Sequence, residues 1–95
     1  MGLFGGSKKY KITDFFTLDE LKTITDTILP KLKTGEYGSI MQLTGKGLTD
    51  YIQHSDKEYS EGRMNSFFKI ADTVRQFEPS LDGILSEGLK RFKNR

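Results

Sequence analysis

The stretch from Ser55 to Phe77 constrains the fold more than any other part of the chain. A strand would alternate apolar and polar residues, whereas the apolar residues here recur with the 3.6-residue period of an α-helix and occupy about half of its circumference. These residues are Met64, Phe67, Phe68, Ile70, Ala71, Val74 and Phe77. Ser55 and Glu58 also have the spacing of a capping box. We therefore predict a central helix over 56–77 that contacts two neighbouring elements.

The segment before this helix predicts another helix over 18–33. Thr17 and Glu20 have the spacing of a capping box, in which each residue binds a free backbone N–H of the other. The apolar residues that follow lie on one face, and they are Leu18, Leu21, Ile24, Ile28 and Leu32. Pro30 lies on the opposite face, where its missing N–H ends or bends the helix. Gly35 is placed to cap its C-terminus.

Residues 39–53 allow two interpretations. One is a helix that Ser39 caps, and the other is a hairpin that turns at Gly45–Gly47. Each glycine inside a helix costs about 1 kcal/mol relative to alanine, which weighs against the helix. An isolated hairpin, however, needs another sheet to pack against, and the sequence offers no obvious one. We favour a helix over 39–53 and keep the hairpin as the alternative.

The last helix is predicted over 81–93, after Pro79 ends the central helix and Ser80 caps the new one. Its apolar stripe is narrow, and glycines at positions 83 and 88 weaken it by about 1 kcal/mol each. We therefore expect a second protein, or a second copy in a homodimer, to stabilise this helix. The expected interface residues are Leu81, Ile84, Leu85, Leu89 and Phe92. The open alternative is that this helix closes the core of the monomer.

Together these segments predict an all-α fold, a small bundle of about four helices in one domain over 17–95. Residues 1–16 are predicted to be a flexible or extended N-terminal arm, because three glycines lie near its start and no helical period is present. We expect Phe15 and Phe16 to pack onto the domain. A chain of 95 residues is short enough for its stability to be marginal.

Residue types that carry catalysis or bind metal are scarce in this chain. It contains no cysteine and one histidine, His54, for which Asp50 is the sole candidate co-ligand at helical spacing. The Thr44–Gly47 stretch lacks the glycine spacing and the hydroxyl of a phosphate-binding P-loop. We therefore expect no enzyme activity, no metal, no cofactor and no small-molecule substrate. The lack of cysteines, of a long apolar run and of a signal-peptide pattern favours the cytoplasm.

Basic residues cluster at both ends of the chain around an acidic middle, although the net charge is only +2. The residues are Lys8, Lys9, Lys11, Lys90, Arg91, Lys93 and Arg95. Two functions follow from these patterns. We rank first a non-catalytic helical module for protein–protein interaction, acting as an adaptor, a regulator or a self-associating subunit. The alternative is a binder of anionic surfaces, either nucleic acid or membrane, through the basic ends.

Overall fold

The computed structural model describes residues 8–95 and confirms the small all-α bundle with an extended N-terminal arm. Residues 39–53 are helical, so the hairpin interpretation is wrong. The four helices are α1 (Leu18–Thr34), α2 (Ser39–Gln53), α3 (Glu61–Phe77) and α4 (Asp82–Lys93). Two short strands, β1 (Lys9–Tyr10) and β2 (Tyr59–Ser60), pair in antiparallel fashion. Single 3₁₀ turns span Ile12–Asp14 and Pro79–Leu81.

Helix α1 begins at the predicted residue, Leu18, and ends at Thr34, one residue after the predicted end. The Thr17 side chain accepts a hydrogen bond from the Glu20 N–H at 3.1 Å, and the Thr17 N–H donates to the Glu20 carboxylate at 2.9 Å. Gly35 follows the last turn with a φ of 69°, a backbone conformation that glycine adopts without strain. Pro30 does not end the helix, which continues to Thr34.

The predicted start of the central helix is wrong by five residues, since α3 begins at Glu61 and not at residue 56. The capping residue is Ser60, whose side chain accepts a hydrogen bond from the Arg63 N–H at 3.2 Å. The residues after Ser55 form a turn and then β2, because the pairing of Tyr59 with the N-terminal arm holds them extended. The sequence pattern could not show this pairing, since its partner lies far away along the chain.

Two further predicted caps differ in the structure. Gly38 occupies the capping position of α2, and Ser39 is the first helical residue. The Ser80 hydroxyl does not cap α4; it donates to the Glu78 carboxylate at 3.1 Å, inside the 3₁₀ turn that precedes the helix. Helix α4 therefore begins at Asp82, one residue after the predicted start.

Aromatic rings from α3 form the centre of the core. Phe67 is fully buried, and its ring centroid lies 5.0 Å from that of Phe68, 5.5 Å from that of Tyr51 and 6.0 Å from that of Phe16. Edge-to-face contacts at such distances add about 0.5–1.5 kcal/mol each to the burial of the rings. Because Phe16 precedes α1 and Tyr51 lies in α2, this cluster fixes two other parts of the chain against α3.

Residues 1–7 of the predicted arm lie outside the described residues. From Lys8 to Phe16 the arm contains β1 and one 3₁₀ turn, and it packs more extensively than the sequence indicates. Tyr10, Ile12, Phe15 and Phe16 are all buried. The ring centroids of Phe15 and Phe92 are 5.2 Å apart in an edge-to-face arrangement. The prediction that Phe15 and Phe16 pack onto the domain is confirmed, and the arm between residues 10 and 16 forms part of the hydrophobic core.

Gly88 permits a close approach between the Phe16 ring of the arm and α4. A Cβ atom added at this position would overlap the Phe16 ring, whereas a Cβ at Gly83 in the same helix would meet no atom within 4 Å. The two glycines of α4 therefore differ in role. Gly88 is required by packing, and Gly83 only weakens the helix.

A buried carboxylate, Glu78, connects α1 to the turn before α4. Its oxygens accept hydrogen bonds from the Lys31 ammonium at 2.7 Å, from the Tyr37 hydroxyl at 2.6 Å and from Ser80. Burial alone would raise the pKa of Glu78, but these hydrogen bonds outweigh burial and hold the pKa below its ordinary value. Burial and the Glu78 charge together raise the pKa of Tyr37. The group is satisfied within the chain, so we interpret it as structural.

We predict that Gly88→Ala and Gly83→Ala change stability in opposite directions. Gly88→Ala forces the Phe16 ring to move and should lower the free energy of unfolding by about 1–3 kcal/mol. Gly83→Ala fills open space in a helix and should raise it by about 0.4–1 kcal/mol. Urea denaturation followed by circular dichroism measures both. Stabilisation by Gly88→Ala would contradict the packing role of this glycine.

We predict that Glu78→Gln weakens the protein at neutral pH more than in acid. The pKa of Glu78 is lower in the folded state, so its contribution is fully present above its unfolded pKa, near 4.5, and is lost as the pH falls through the folded value. At pH 7 the variant should lose about 1–3 kcal/mol of unfolding free energy. The difference from the wild type should shrink at pH 3. If the stability difference between the variant and the wild type is the same at pH 7 and at pH 3, the stabilising role of the ionised Glu78 carboxylate is contradicted.

Candidate functional site

Most of the predicted interface on α4 is not a free surface. Leu81, Leu85 and Phe92 are buried in the core of the single chain, and this corrects the prediction for these three residues. Their burial follows from the aromatic cluster, since α4 packs against α3 and the arm. Ile84 and Leu89 are partly buried at the edge of the core. Leu89 also lines an open groove between α3 and α4, with a volume of about 720 Å³.

Two of the basic residues that were predicted to contact anionic surfaces form ion pairs within the chain. Arg91 donates to the Glu20 carboxylate at 2.8 Å and to the Phe15 carbonyl at 2.9 Å. The hydrogen bond from Arg91 is the main cause that lowers the pKa of Glu20. Arg95 forms an ion pair with Glu61 at 2.7 Å. The other basic residues of this set are exposed, and they are Lys8, Lys9, Lys11, Lys90 and Lys93.

The fold brings the two basic ends of the chain together at one ring. The Lys8 ammonium lies 5.9 Å from the centroid of Tyr10, and the Arg95 guanidinium lies 5.1 Å from the same centroid. Both distances are within the range of cation–π contacts. The ends, separate in sequence, therefore contribute to one region of positive charge. Glu61 reduces that charge through its ion pair with Arg95.

The single histidine is exposed at the C-terminus of α2. Its Nδ1 lies 3.0 Å from the Asp50 carbonyl oxygen. A carbonyl oxygen only accepts hydrogen bonds, so Nδ1 carries a proton in this contact. Within residues 8–95, no three His, Asp or Glu side chains converge as metal ligands do. His54 instead lies at the edge of a cavity.

An apolar patch is exposed on the first half of α2. We define the α2 apolar patch as Ile40, Met41 and Leu43, whose exposed fractions are 81%, 44% and 71%. Among the described residues, Leu18 is the other large hydrophobic side chain that is exposed. The inner face of α2 packs on α1, where Gly45 lies close to side chains of that helix. Ile40 and Leu43 point away from this face, and Met41, four residues before Gly45, lies at its exposed edge.

The sequence analysis counted the glycines of α2 only as a cost to the helix, and it did not recognise Gly45 as part of the buried face. The buried residues of α2 are Gly45, Leu48, Thr49 and Ile52. Their i, i+3, i+4, i+7 spacing was present in the sequence, and reading Gly45 as a contact point would have identified the patch.

A cavity of about 320 Å³ lies between the second half of α2 and the start of α3. It begins at Gly47, one helical turn beyond the α2 apolar patch, and its other lining residues are Asp50, Tyr51, His54, Lys57, Tyr59 and Arg63. The Arg63 guanidinium lies over the Tyr51 ring, 5.6 Å from its centroid. The cavity thus combines aromatic walls with charged side chains. Sequence patterns could not reveal it, because its residues come from two helices and the segment between them.

None of the helices found between residues 8 and 95 combines the length and the apolar composition needed to cross a bilayer. Comparisons with protein-family models, with curated proteins and with solved structures find no match for this chain. The functional interpretation therefore depends on three features of its own geometry, which are the α2 apolar patch, the cavity beside it and the basic residues that meet at Tyr10.

Proposed function

We propose that this chain is a non-catalytic interaction module that associates with a second copy of itself through the α2 apolar patch. The observation that carries the proposal is the exposure of three large apolar side chains, Ile40, Met41 and Leu43, within one turn of a helix. Single exposed apolar residues are ordinary on protein surfaces, but contiguous ones are typical of interaction sites. The rest of the apolar stripe of α2 is occupied by the protein's own core.

The charges around the patch favour a second copy as the partner. Residues 37–45 carry no charged side chain; Glu36 precedes this stretch and Lys46 follows it. In an antiparallel pairing of two α2 helices about a twofold axis, Glu36 of each copy approaches Lys46 of the other. Lys46 contacts Asp50 at 3.2 Å in the single chain, and both side chains are largely exposed. Such exposed pairs are weak, so Lys46 is available to the partner.

We infer a second candidate function, binding to anionic surfaces, from the meeting of the basic ends at Tyr10. Lys8 and Arg95 both lie over this ring, and Lys9 and Lys11 are exposed on the same arm. We rank it below self-association, because the guanidinium groups of Arg91 and Arg95 already contact Glu20 and Glu61.

We predict that Ile40→Asp and Leu43→Asp each weaken self-association at least about tenfold, because a buried carboxylate without a partner is costly. Sedimentation velocity over a range of protein concentrations measures the effect. Both sites are exposed in the single chain, so unfolding free energies extrapolated to low concentration should change by less than about 0.5 kcal/mol. Leu18→Asp is the matched control, since Leu18 is 74% exposed and lies in α1, outside the patch; it should leave association unchanged.

A wild-type chain that stays monomeric at high concentration contradicts the proposal. Equal loss of association in Leu18→Asp also contradicts it, because the effect would then not belong to the patch.

For the second candidate function, we predict that the chain binds phosphatidylserine vesicles and that this binding weakens steeply as the salt concentration rises. The double substitution Lys9→Gln plus Lys11→Gln should reduce the binding. A vesicle-sedimentation assay between low and physiological salt measures it, with Lys22→Gln plus Lys33→Gln as the charge-matched control in α1. Absence of vesicle binding at low salt eliminates the membrane form of this candidate, and the same series with a DNA duplex tests the nucleic-acid form.

A further inference from the structure

We propose that the cavity between α2 and α3 binds a small phosphate monoester, with Lys57 and Arg63 holding the phosphate group. The cavity volume of about 320 Å³ lies at the lower end of the range for small-molecule sites. It exceeds what one phosphate group needs, so an organic part of the ligand has room beside the tyrosines. The proposal is independent of self-association, because no residue of the α2 apolar patch lines the cavity.

The balance of charges identifies the phosphate. Lys57 and Arg63 form no ion pair with any carboxylate in residues 8–95. Asp50 is the one carboxylate among the described residues that lines the cavity, and it is paired with neither Lys57 nor Arg63. Lys57 and Arg63 therefore bring two positive charges to the cavity. A phosphate monoester, which carries about −1.5 to −2 at pH 7, matches that charge, whereas a carboxylate or a sulfate ester supplies only one negative charge.

The two cations approach the cavity from different elements, as a clamp around one anion requires. Arg63 lies in the first turn of α3, where the positive end of the helix dipole adds to the field. Lys57 lies in the turn that follows α2, and its N–H donates to the His54 carbonyl at 3.0 Å. An arginine presents a planar fork of N–H donors and a lysine a compact charge, and both groups are used for phosphate recognition.

The aromatic walls are held in place by the core. The Tyr51 ring lies edge-to-face with Phe67 and with Tyr59, at 5.5 Å between centroids in both pairs. The Tyr59 hydroxyl donates to the His54 carbonyl at 3.3 Å, which joins the wall to the end of α2. A fixed wall of this kind lowers the ordering cost of binding and favours a ligand with an apolar or planar organic group.

Phenyl phosphate and phenyl sulfate are suitable probes, because they share a shape and differ in charge. In ¹H–¹⁵N NMR titrations of the full chain at pH 7.5, phenyl phosphate should produce saturable shifts of the backbone amides of Tyr51, His54, Lys57 and Arg63. Phenyl sulfate should bind at least about fivefold more weakly, because it satisfies one cation only. Inorganic phosphate should also bind more weakly than phenyl phosphate, because it leaves the aromatic wall uncovered.

Two substitutions, each of which removes one positive charge, test whether Lys57 and Arg63 hold the phosphate group. Arg63→Gln and Lys57→Gln should each weaken phenyl phosphate binding about tenfold, as expected for a charge-assisted hydrogen bond. Lys69→Gln is the matched control, because it removes an exposed cation from α3 outside this cavity and should leave affinity unchanged. Melting curves check that all three variants remain folded.

Several results overturn the assignment. Shifts that do not saturate, or that fall elsewhere on the chain, show that the cavity is not the site. Equal affinity for phenyl sulfate contradicts the choice of a dianion, and equal affinity for inorganic phosphate contradicts the choice of a monoester. Equal weakening by Lys69→Gln means that the probe responds to net charge and not to Lys57 and Arg63.

Discussion

The Phe16 ring lies directly against the backbone of α4 at Gly88, and this contact determines how the arm, α3 and α4 meet. Phe16 also stacks with Phe68, with ring centroids 6.0 Å apart, so one side chain connects both helices to the residues before α1. Phe68 in turn stacks on Phe92 at 5.1 Å. In a chain whose residues are only 35% hydrophobic, a few large rings supply much of the buried surface. The position of each ring therefore matters more than it does in a larger core.

Aromatic and polar contacts stabilise both ends of the bundle. Near the chain ends, rings and the Arg91–Glu20 ion pair fix the arm to α4. Near the α1–α2 turn, Tyr37 lies edge-to-face with Phe77 at 4.8 Å, and its hydroxyl donates to buried Glu78. These contacts do not involve the exposed side chains of the α2 apolar patch. The patch and the cavity between α2 and α3 are two of the places to which we assign function.

The sequence was sufficient to predict structural features that depend on residues close together in the chain. It was insufficient to predict features that depend on contacts between distant residues. The four helices, the Thr17 cap and the end of α1 at Gly35 follow from local periodicity and capping. Ser55 and Ser60 both precede helix-compatible residues, and only the pairing of β1 with β2 decides that α3 starts after Ser60. The burial of α4 required the arm, whose two-residue strand gives no periodic signal. The cavity, likewise, exists only after α2 and α3 pack together.

The N-terminal arm contacts residues that lie far away along the chain, and such contacts affect folding kinetics. The hydrogen bond from Arg91 to the Phe15 carbonyl joins residues 76 positions apart, whereas most contacts of a helical bundle are local. The loop-closure entropy of such a contact is lost before the contact forms, so docking of the arm belongs late on the folding route. Interactions that form after the transition state govern the rate of unfolding and leave the rate of folding almost unchanged. We therefore expect contacts of the arm to govern the unfolding rate, and contacts between α2 and α3 to govern the folding rate.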